Sequence, residues 1–263
     1  MDLQLKGKRA LVTGSTAGIG YAIAAGLARE GARVIVNGRG EDGVAKALAA
    51  LRAETGGDLA GFAGDLARAD AAEAVVRQHP EIDILVNNLG IFEPKPFEDI
   101  PDADWLRFFE VNVLSGVRLA RYYLPLMRDK NWGRILFISS ESAVNIPVEM
   151  IHYGMTKTAQ VAVARGLAES VAGTGITVNS ILVGPTASEG VTSFIEGMAR
   201  QQEVTPAQVE KEFFQHVRPS SLLKRFEKPE EVAAVVAFVA SGRGGIINGA
   251  AVRADGGVVR AAL

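Results

Sequence analysis

Residues 9–30 read RALVTGSTAGIGYAIAAGLARE, an apolar run followed directly by a glycine-rich loop and an Ala-rich segment. We interpret them as a strand over Arg9–Thr13, a loop, and a helix over Tyr21–Glu30. Glycines let a backbone turn tightly and approach a pyrophosphate closely, and the amides of the following helix stabilise the anion. The stretch therefore predicts a dinucleotide site. A purely structural turn remains the alternative, because the spacing Gly-x3-Gly-x-Gly is not diagnostic alone.

The rest of the chain repeats this alternation of β-branched runs and helical segments. Runs that are apolar on both faces are typical of a parallel sheet covered by helices on each side. Such sheets bind ligands beyond the carboxyl ends of their strands. Without an internal repeat or a linker, we expect a single α/β domain over residues 1–263. The seven predicted strands are Arg9–Thr13, Arg33–Asn37, Ala60–Ala63, Asp83–Asn87, Arg134–Ser139, Ile176–Leu182 and Ala250–Arg253.

One segment, residues 186–226, departs from the alternation. It contains no predicted strand, but two amphipathic pieces. Long insertions at a ligand-bearing edge are usually lids, so we expect a helical flap that covers the substrate. A plain pair of surface helices is the alternative. The apolar residues are Phe194, Ile195 and Met198 in the first piece and Val209, Phe213 and Phe214 in the second.

The composition excludes several classes of function. The 28 Lys and Arg balance 30 Asp and Glu, so no basic surface is expected to hold nucleic acid or an anionic membrane. The apolar run Val232–Ala240 is half of a bilayer span, and Met1–Ala10 lacks a secretory signal, so a cytoplasmic protein is expected. The absence of Cys removes thiolate chemistry, and three scattered His make a metal site unexpected.

Further motifs follow the glycine loop in a fixed order. Together they resemble those of the short-chain dehydrogenase/reductase family over nearly the whole chain. The resemblance implies a Rossmann-type doubly wound sheet of seven parallel strands, a nicotinamide cofactor, no metal in catalysis, and a homo-oligomer, either a dimer or a tetramer. The motifs are Thr13-Gly14-x3-Gly18-x-Gly20, Asn87-Asn88-Leu89-Gly90, Asn112, Ser140, Tyr153-Gly154-Met155-Thr156-Lys157 and Asp255-Gly256-Gly257.

The predicted reaction centre contains Asn112, Ser140, Tyr153 and Lys157. Tyr153 and Lys157 stand four apart in a predicted helix over Tyr153–Ala172 and therefore share a face. A neighbouring ammonium would lower the pKa of the phenol and make it a proton carrier near neutrality. The resemblance implies that Lys157 also binds the nicotinamide ribose. It also implies that Ser140 orients the substrate oxygen and that Asn112 holds a water in the proton relay.

The end of the second strand predicts the choice of cofactor. An acidic residue there would accept hydrogen bonds from a free ribose hydroxyl, whereas a guanidinium pairs with a 2′-phosphate. Gly38 stands at the acidic position and Arg39 follows it. We therefore predict NADP(H) in preference to NAD(H).

The resemblance implies further cofactor contacts along the chain. After the sixth strand, Val183 and Ser188 stand where the family usually has Pro and Thr, but the glycine and a hydroxyl remain in register. The predicted cofactor-binding residues are Gly14, Ser15, Thr16, Gly18, Ile19, Gly20, Arg39, Asp65, Leu66, Asn88, Gly90, Tyr153, Lys157, Gly184, Thr186 and Ser188.

The main functional hypothesis is an NADP(H)-dependent oxidoreductase that interconverts a ketone and a secondary alcohol, with Tyr153 giving or taking the proton. A 3-oxoacyl-thioester reductase is the first alternative. Basic residues that dock an acyl carrier protein are replaced here by Asn131 and Thr174, although Arg128, Lys130 and Arg134 are near. A non-catalytic cofactor sensor or scaffold is the second alternative.

Overall fold

The computed structural model describes residues 1–262, except for the side chain of Phe194, so that part of the flap prediction lies outside the described residues. Seven parallel strands form one sheet in the order β3-β2-β1-β4-β5-β6-β7, which confirms the predicted fold. Every predicted strand boundary lies within one residue of the observed one. The strands are β1 (Arg9–Val12), β2 (Arg33–Gly38), β3 (Leu59–Ala63), β4 (Ile84–Asn87), β5 (Gly133–Ser140), β6 (Ile176–Val183) and β7 (Ala251–Ala254).

The strand order reverses between β1 and β4. Leu11 of β1 lies opposite Ile35 on one side and Leu85 on the other. Loops that leave neighbouring strands diverge at such a point and open a crevice beyond the carboxyl ends. All residues of the long strands β5 and β6 are buried, so they form a rigid floor beside this crevice.

Helices cover both faces of the sheet. One apolar cluster packs α1, α2 and α9 against the strands, and a second packs α3, α5 and α6 against the opposite face. Within residues 1–262, no helix is long and apolar enough to cross a membrane. The helices are α1 (Gly18–Arg29), α2 (Glu41–Thr55), α3 (Ala69–Gln78), α4 (Asp102–Phe109), α5 (Ser115–Asp129), α6 (Ile151–Ser170), α7 (Glu189–Gln202), α8 (Pro206–Glu212) and α9 (Pro229–Ala240).

Helix boundaries near the site differ from the predicted ones. Helix α1 begins at Gly18 instead of Tyr21, and α6 begins two residues early and ends at Ser170. Between α4 and α5 the chain forms a π-helical turn, Glu110–Leu114, which periodicity did not indicate. Such turns are frequent at functional sites, and Asn112 lies at the centre of this one.

The segment 186–226 contains the two predicted helices, α7 and α8. Each begins at a hydroxyl cap, because Ser188 accepts from the Val191 amide and Thr205 from the Gln208 amide. Together they form a small apolar core of their own, separate from the main clusters. Its buried residues are Ile195, Ala199 and Val209.

Candidate active site

The loops after β1 and β4 are joined by hydrogen bonds at the reversal of strand order. Asn88 Nδ2 donates to the carbonyls of Thr13 (3.0 Å) and Gly14 (3.1 Å). Thr13 Oγ1 accepts in return from the amides of Asn88 and Leu89, both at 2.9 Å. Asn88 therefore holds the glycine loop in place through its side chain. Sequence reasoning missed Thr13 as a structural partner.

The glycine loop requires glycine for two physical reasons. Gly14 (φ +60°) and Gly18 (φ +56°) adopt the left-handed conformation. A Cβ at Gly20 would overlap the Gly14 carbonyl oxygen and lie 2.5 Å from Asn88 Nδ2. The start of α1 has neither a side-chain cap nor an acidic residue in its first turn, so its amides are available to an anion.

Two residues of the predicted cofactor set, Ser15 and Leu66, have side chains that face the protein interior. Ser15 is fully buried; its hydroxyl donates to the Val12 carbonyl (2.7 Å) and accepts from the Asn37 amide (2.9 Å). Leu66 is also buried in the main core, whereas its neighbour Asp65 is partly exposed. The Ser15 hydroxyl thus ties β1 to β2, and only Asp65 remains available on that loop.

The end of β2 has no room for an acidic side chain. A Cβ at Gly38 would lie 2.5 Å from Cγ2 of Thr16 in the glycine loop. Arg39 is exposed directly beside this contact. Thr16, Gly38 and Arg39 therefore lie side by side at the carboxyl end of β2.

The loop after β6 reaches back to the glycine loop. The Thr186 hydroxyl donates to the Gly184 carbonyl (3.0 Å) and is buried. Ser188, which caps α7, lies close to Gly18 of the glycine loop: a Cβ built on Gly18 would be 3.3 Å from the Cβ of Ser188. The structure thus brings the beginning of the flap next to the predicted pyrophosphate position.

Tyr153 and Lys157 share one face of α6, as predicted. The Lys157 ammonium lies 5.5 Å from the centre of the Tyr153 ring. It donates to the Ile138 carbonyl of β5 (2.9 Å) and to Gln160 Oε1 (3.2 Å). Ser140 ends β5 and forms a hydrogen bond with Tyr153 that favours the phenolate. Ser140, Tyr153 and Lys157 are therefore neighbours at the carboxyl end of β5.

The expected effect of Lys157 on Tyr153 is wrong for this structure. Burial raises the pKa of Tyr153 to about 12, and the Glu141 carboxylate raises it further, while the Ser140 hydrogen bond and the Arg218 charge lower it. Burial also lowers the pKa of Lys157 to about 8. Loss of hydration thus exceeds the effect of the neighbouring charges, so the phenol keeps its proton at neutral pH.

Asn112 is buried in the π-helical turn and uses its side chain to fix the loop after β4. Its Oδ1 accepts from the Ile91 amide (2.8 Å), and its Nδ2 donates to the Ile91 carbonyl (3.0 Å) and to Thr156 Oγ1 (2.9 Å). Its backbone carbonyl accepts from Gln160 Nε2 at 2.6 Å. The Asn112 side chain is thus occupied by hydrogen bonds within the protein, and its backbone carbonyl is linked through Gln160 to Lys157.

Sequence reasoning missed a buried ion pair beside Ser140. Arg218, just after the flap helices, donates from Nε to Glu141 Oε1 (2.7 Å) and from Nη1 to Glu149 Oε1 (3.3 Å). Arg218 and Glu141 are both buried. No local pattern links these residues, since they are 77 positions apart in the chain.

Comparisons with known proteins agree with this geometry. The family model described as Enoyl-(Acyl carrier protein) reductase matches residues 14–259. The Bacillus subtilis (strain 168) protein named Uncharacterized oxidoreductase YvaG is 48% identical, with 99% of each chain covered. D-beta-hydroxybutyrate dehydrogenase of Cupriavidus necator is 34% identical over 97% of this chain and 99% of its own. L-sorbose reductase from Gluconobacter frateurii, whose crystal structure is complexed with NADPH and L-sorbose, superposes with a TM-score of 0.91 at 31% identity, covering 99% of this chain and 100% of its own.

We expect Gly20→Ala to raise the Kd for NADPH by about tenfold or more, equivalent to ~1.4 kcal/mol, because its methyl group displaces the Gly14 carbonyl and Asn88. Quenching of protein fluorescence by NADPH measures this. Gly43→Ala is the matched control, since nothing lies within 4 Å of a Cβ there. Equal NADPH affinity in both variants would contradict the assigned role of Gly20.

Proposed function

Because the chain belongs to the short-chain dehydrogenase/reductase family, it is an NAD(P)-dependent oxidoreductase, and we propose that it uses NADP(H) to interconvert a ketone and a secondary alcohol. The observation that carries this proposal is the meeting of Ser140, Tyr153 and Lys157 beside the glycine loop. The Ser140 and Tyr153 hydroxyls are neighbours there, and the Lys157 ammonium lies 5.5 Å from the centre of the Tyr153 ring. That set suits a carbonyl oxygen that gains a proton.

The residues of the crevice fit a nicotinamide dinucleotide. The free amides at the start of α1 and the close approach at Gly20 suit a pyrophosphate. Gly90 is exposed next to Lys157, where a Cβ would lie 3.6 Å from the ammonium nitrogen, so the backbone leaves room for a ribose. When bound, the cofactor supplies or accepts the hydride. Gly184, Thr186 and Ser188 would border its nicotinamide end.

Tyr153 is assigned the proton transfer. Its raised pKa keeps the phenol protonated at neutral pH, which is the form that donates to a developing alkoxide. Ser140 forms a hydrogen bond with Tyr153 and would hold the same substrate oxygen. Lys157, ionised below its pKa of about 8, stabilises the phenolate left after the transfer. Reduction of a ketone is therefore the direction that these protonation states favour.

The preference for NADP(H) rests on Gly38 and Arg39. Thr16 excludes a side chain at Gly38, so the usual acidic partner of a free ribose hydroxyl cannot stand there. The exposed Arg39 guanidinium can instead pair with a 2′-phosphate. The presence of NADPH in the L-sorbose reductase structure supports the same choice.

A 3-oxoacyl-thioester reductase remains the alternative, supported by the printed description of the matching family model. Two of the three nearby basic residues, Arg128 and Arg134, are engaged by backbone carbonyls of the protein. Arg134 is buried and donates to the Ser241 and Gly175 carbonyls, and Arg128 donates to the Ser170 carbonyl. These contacts favour a small carbonyl substrate over a carrier-protein partner, and the intact catalytic set weighs against a non-catalytic scaffold.

A substrate panel tests the proposal directly. NADPH oxidation is followed at 340 nm, the absorbance of its reduced ring, with ketoses, 3-oxo acids, apolar ketones and a 3-oxoacyl thioester, and NADP+ reduction with the matching alcohols. Turnover of a ketone supports the main proposal, and turnover of the thioester alone supports the alternative. A panel without any turnover would favour the scaffold hypothesis.

We also propose that the protein works as a homo-oligomer, a dimer or a tetramer. Leu106 and Phe109 of α4 and Tyr122 and Leu126 of α5 are exposed, although they are large and apolar. Apolar side chains grouped on adjoining helices are typical of surfaces that a second copy covers.

We expect Tyr153→Phe to lower kcat for ketone reduction by about 10²- to 10⁴-fold, because the proton donor is lost while the ring still fills its place. The Kd for NADPH should stay nearly unchanged. Tyr123→Phe, which removes a hydroxyl that donates to the His79 carbonyl (3.0 Å), is the control. Turnover above about a tenth of wild type would reject Tyr153 as the proton donor.

We expect Arg39→Ala to raise the Kd for NADPH by about ten- to a hundredfold and to leave NADH binding unchanged, since only NADPH carries the phosphate. The difference should shrink at high salt. Arg33→Ala, at the opposite end of β2, is the control because that guanidinium pairs with Asp58 (2.9 Å). Equal weakening of both cofactors would show that Arg39 does not select NADP(H).

We further propose that residues 186–226 act as a lid over the substrate, and we expect NADPH and a ketone substrate to slow amide exchange in α7 and α8. Their small separate core makes local opening less costly than opening of the sheet. Hydrogen exchange with mass spectrometry gives the protection of each peptide, and β5 peptides serve as the internal reference. The same protection with and without ligands would make the segment a fixed element.

A further inference from the structure

Gln160 connects two members of the proposed reaction centre. It lies on α6, three residues after Lys157, and is buried. Its Oε1 accepts from the Lys157 ammonium (3.2 Å), and its Nε2 donates to the backbone carbonyl of Asn112 (2.6 Å). One side-chain amide thus links the ammonium to the π-helical turn between α4 and α5.

The chemistry of the partners fixes the orientation of this amide. An ammonium can only donate and a carbonyl can only accept, so both ends of Gln160 are satisfied in one orientation alone. An apolar side chain of similar size would leave the Asn112 carbonyl and one ammonium hydrogen without partners. A carboxylate would serve Lys157 but not the carbonyl.

This contact determines what Lys157 has left to offer. Of its three N–H groups, the Ile138 carbonyl and Gln160 take two. The third is then available on the side of Tyr153 and Gly90, both of which lie near the ammonium. That side faces the phenol and the expected position of the ribose. The contacts with Ile138 and Gln160, and not the phenol or the ribose, therefore set the rotamer of Lys157.

We propose that Gln160 is a positioning residue that holds the Lys157 ammonium in place and in its charged form next to Tyr153. A primary amide does not release a proton near neutrality, so Gln160 acts through Lys157 and is not a member of the proton path. The inference rests on the proposed function only in assuming that Lys157 stabilises the phenolate of Tyr153.

The charges around Lys157 are few, which makes the effect measurable. Burial is the cause of its lowered pKa. From β5 it meets the uncharged Ile138 carbonyl, and from the π-helical turn the amide-linked Asn112. On its own helix the titratable neighbour is Tyr153, on which the charges of Glu141 and Arg218 act. Gln160 is thus the side-chain acceptor that opposes the cost of burying the ammonium.

The test measures the pKa of Lys157 by NMR in the full-length protein labelled with ε-13C lysine, without cofactor or substrate. The resonance is assigned by its loss in Lys157→Arg. Gln160→Leu removes an acceptor from a buried cation and should lower this pKa by about one to two units. Gln160→Glu supplies a negative charge and should raise it above the wild-type value.

Tyr123→Phe is the matched control, since it also removes one buried hydrogen bond, from the hydroxyl to the His79 carbonyl (3.0 Å), far from Lys157. Its Lys157 pKa should equal that of wild type. An unchanged pKa in both Gln160 variants, with only a lower Tm, would reduce Gln160 to a core residue and overturn the proposal. If Gln160→Leu does not fold, the direction of the shift in Gln160→Glu decides.

Turnover separates this inference from the proposed function. In ketone reduction, the alkaline limb of the pH profile of kcat should move in the same direction as the Lys157 pKa in each variant. Shifts of the Lys157 pKa without turnover of any ketone would keep the positioning role and refute the reaction. Turnover of a ketone, with no shift of either the Lys157 pKa or the alkaline limb in the variants, would support the reaction and refute the positioning role.

Discussion

The hydrogen bonds from Asn88 to the carbonyls of Thr13 and Gly14 hold together the place where the order of the strands reverses. Parallel strands on either side of this point send their loops in opposite directions, so a crevice must form there. An open crevice is useful only if its walls are rigid. Asn88 and the close approach of Gly20 supply that rigidity, because neither loop can move without breaking buried hydrogen bonds.

Burial then determines the chemistry at the edge of this crevice. Burial raises the pKa of Tyr153 and lowers the pKa of Lys157. In water, the attraction between a phenolate and an ammonium would shift each pKa in the opposite direction. Specific partners of each group counteract these effects of burial. Ser140 and Arg218 favour the phenolate, and the Ile138 carbonyl and Gln160 accept from the ammonium. Ser140 and Arg218 thus offset part of the rise in the pKa of Tyr153, and the two acceptors offset part of the cost of burying the Lys157 charge.

Much of this structure was predictable because it depends on local sequence. The seven strands follow from runs of apolar residues, and the Tyr153 and Lys157 pair from helical spacing. Sequence reasoning could not decide which side of a loop a residue faces. Ser15 and Leu66 stand in loops that meet the crevice, but their side chains enter the core, and only tertiary packing decides this. The spacing of Gln160 from Lys157 on one helix was the available signal for a contact that sequence reasoning missed.

The Arg218 and Glu141 pair limits how the flap can move. Removing one partner of a buried ion pair typically costs about 3–5 kcal/mol, so Arg218 resists separation from Glu141. The two ends of the segment are also held together, because Thr186, its first residue, pairs with Glu227, which directly follows its last. Both ends of the flap are therefore fixed to the sheet edge. In the proposed lid, the part that would open lies between Ser188 and Arg218, and its closure would not disturb the charge balance that Arg218 provides near Tyr153.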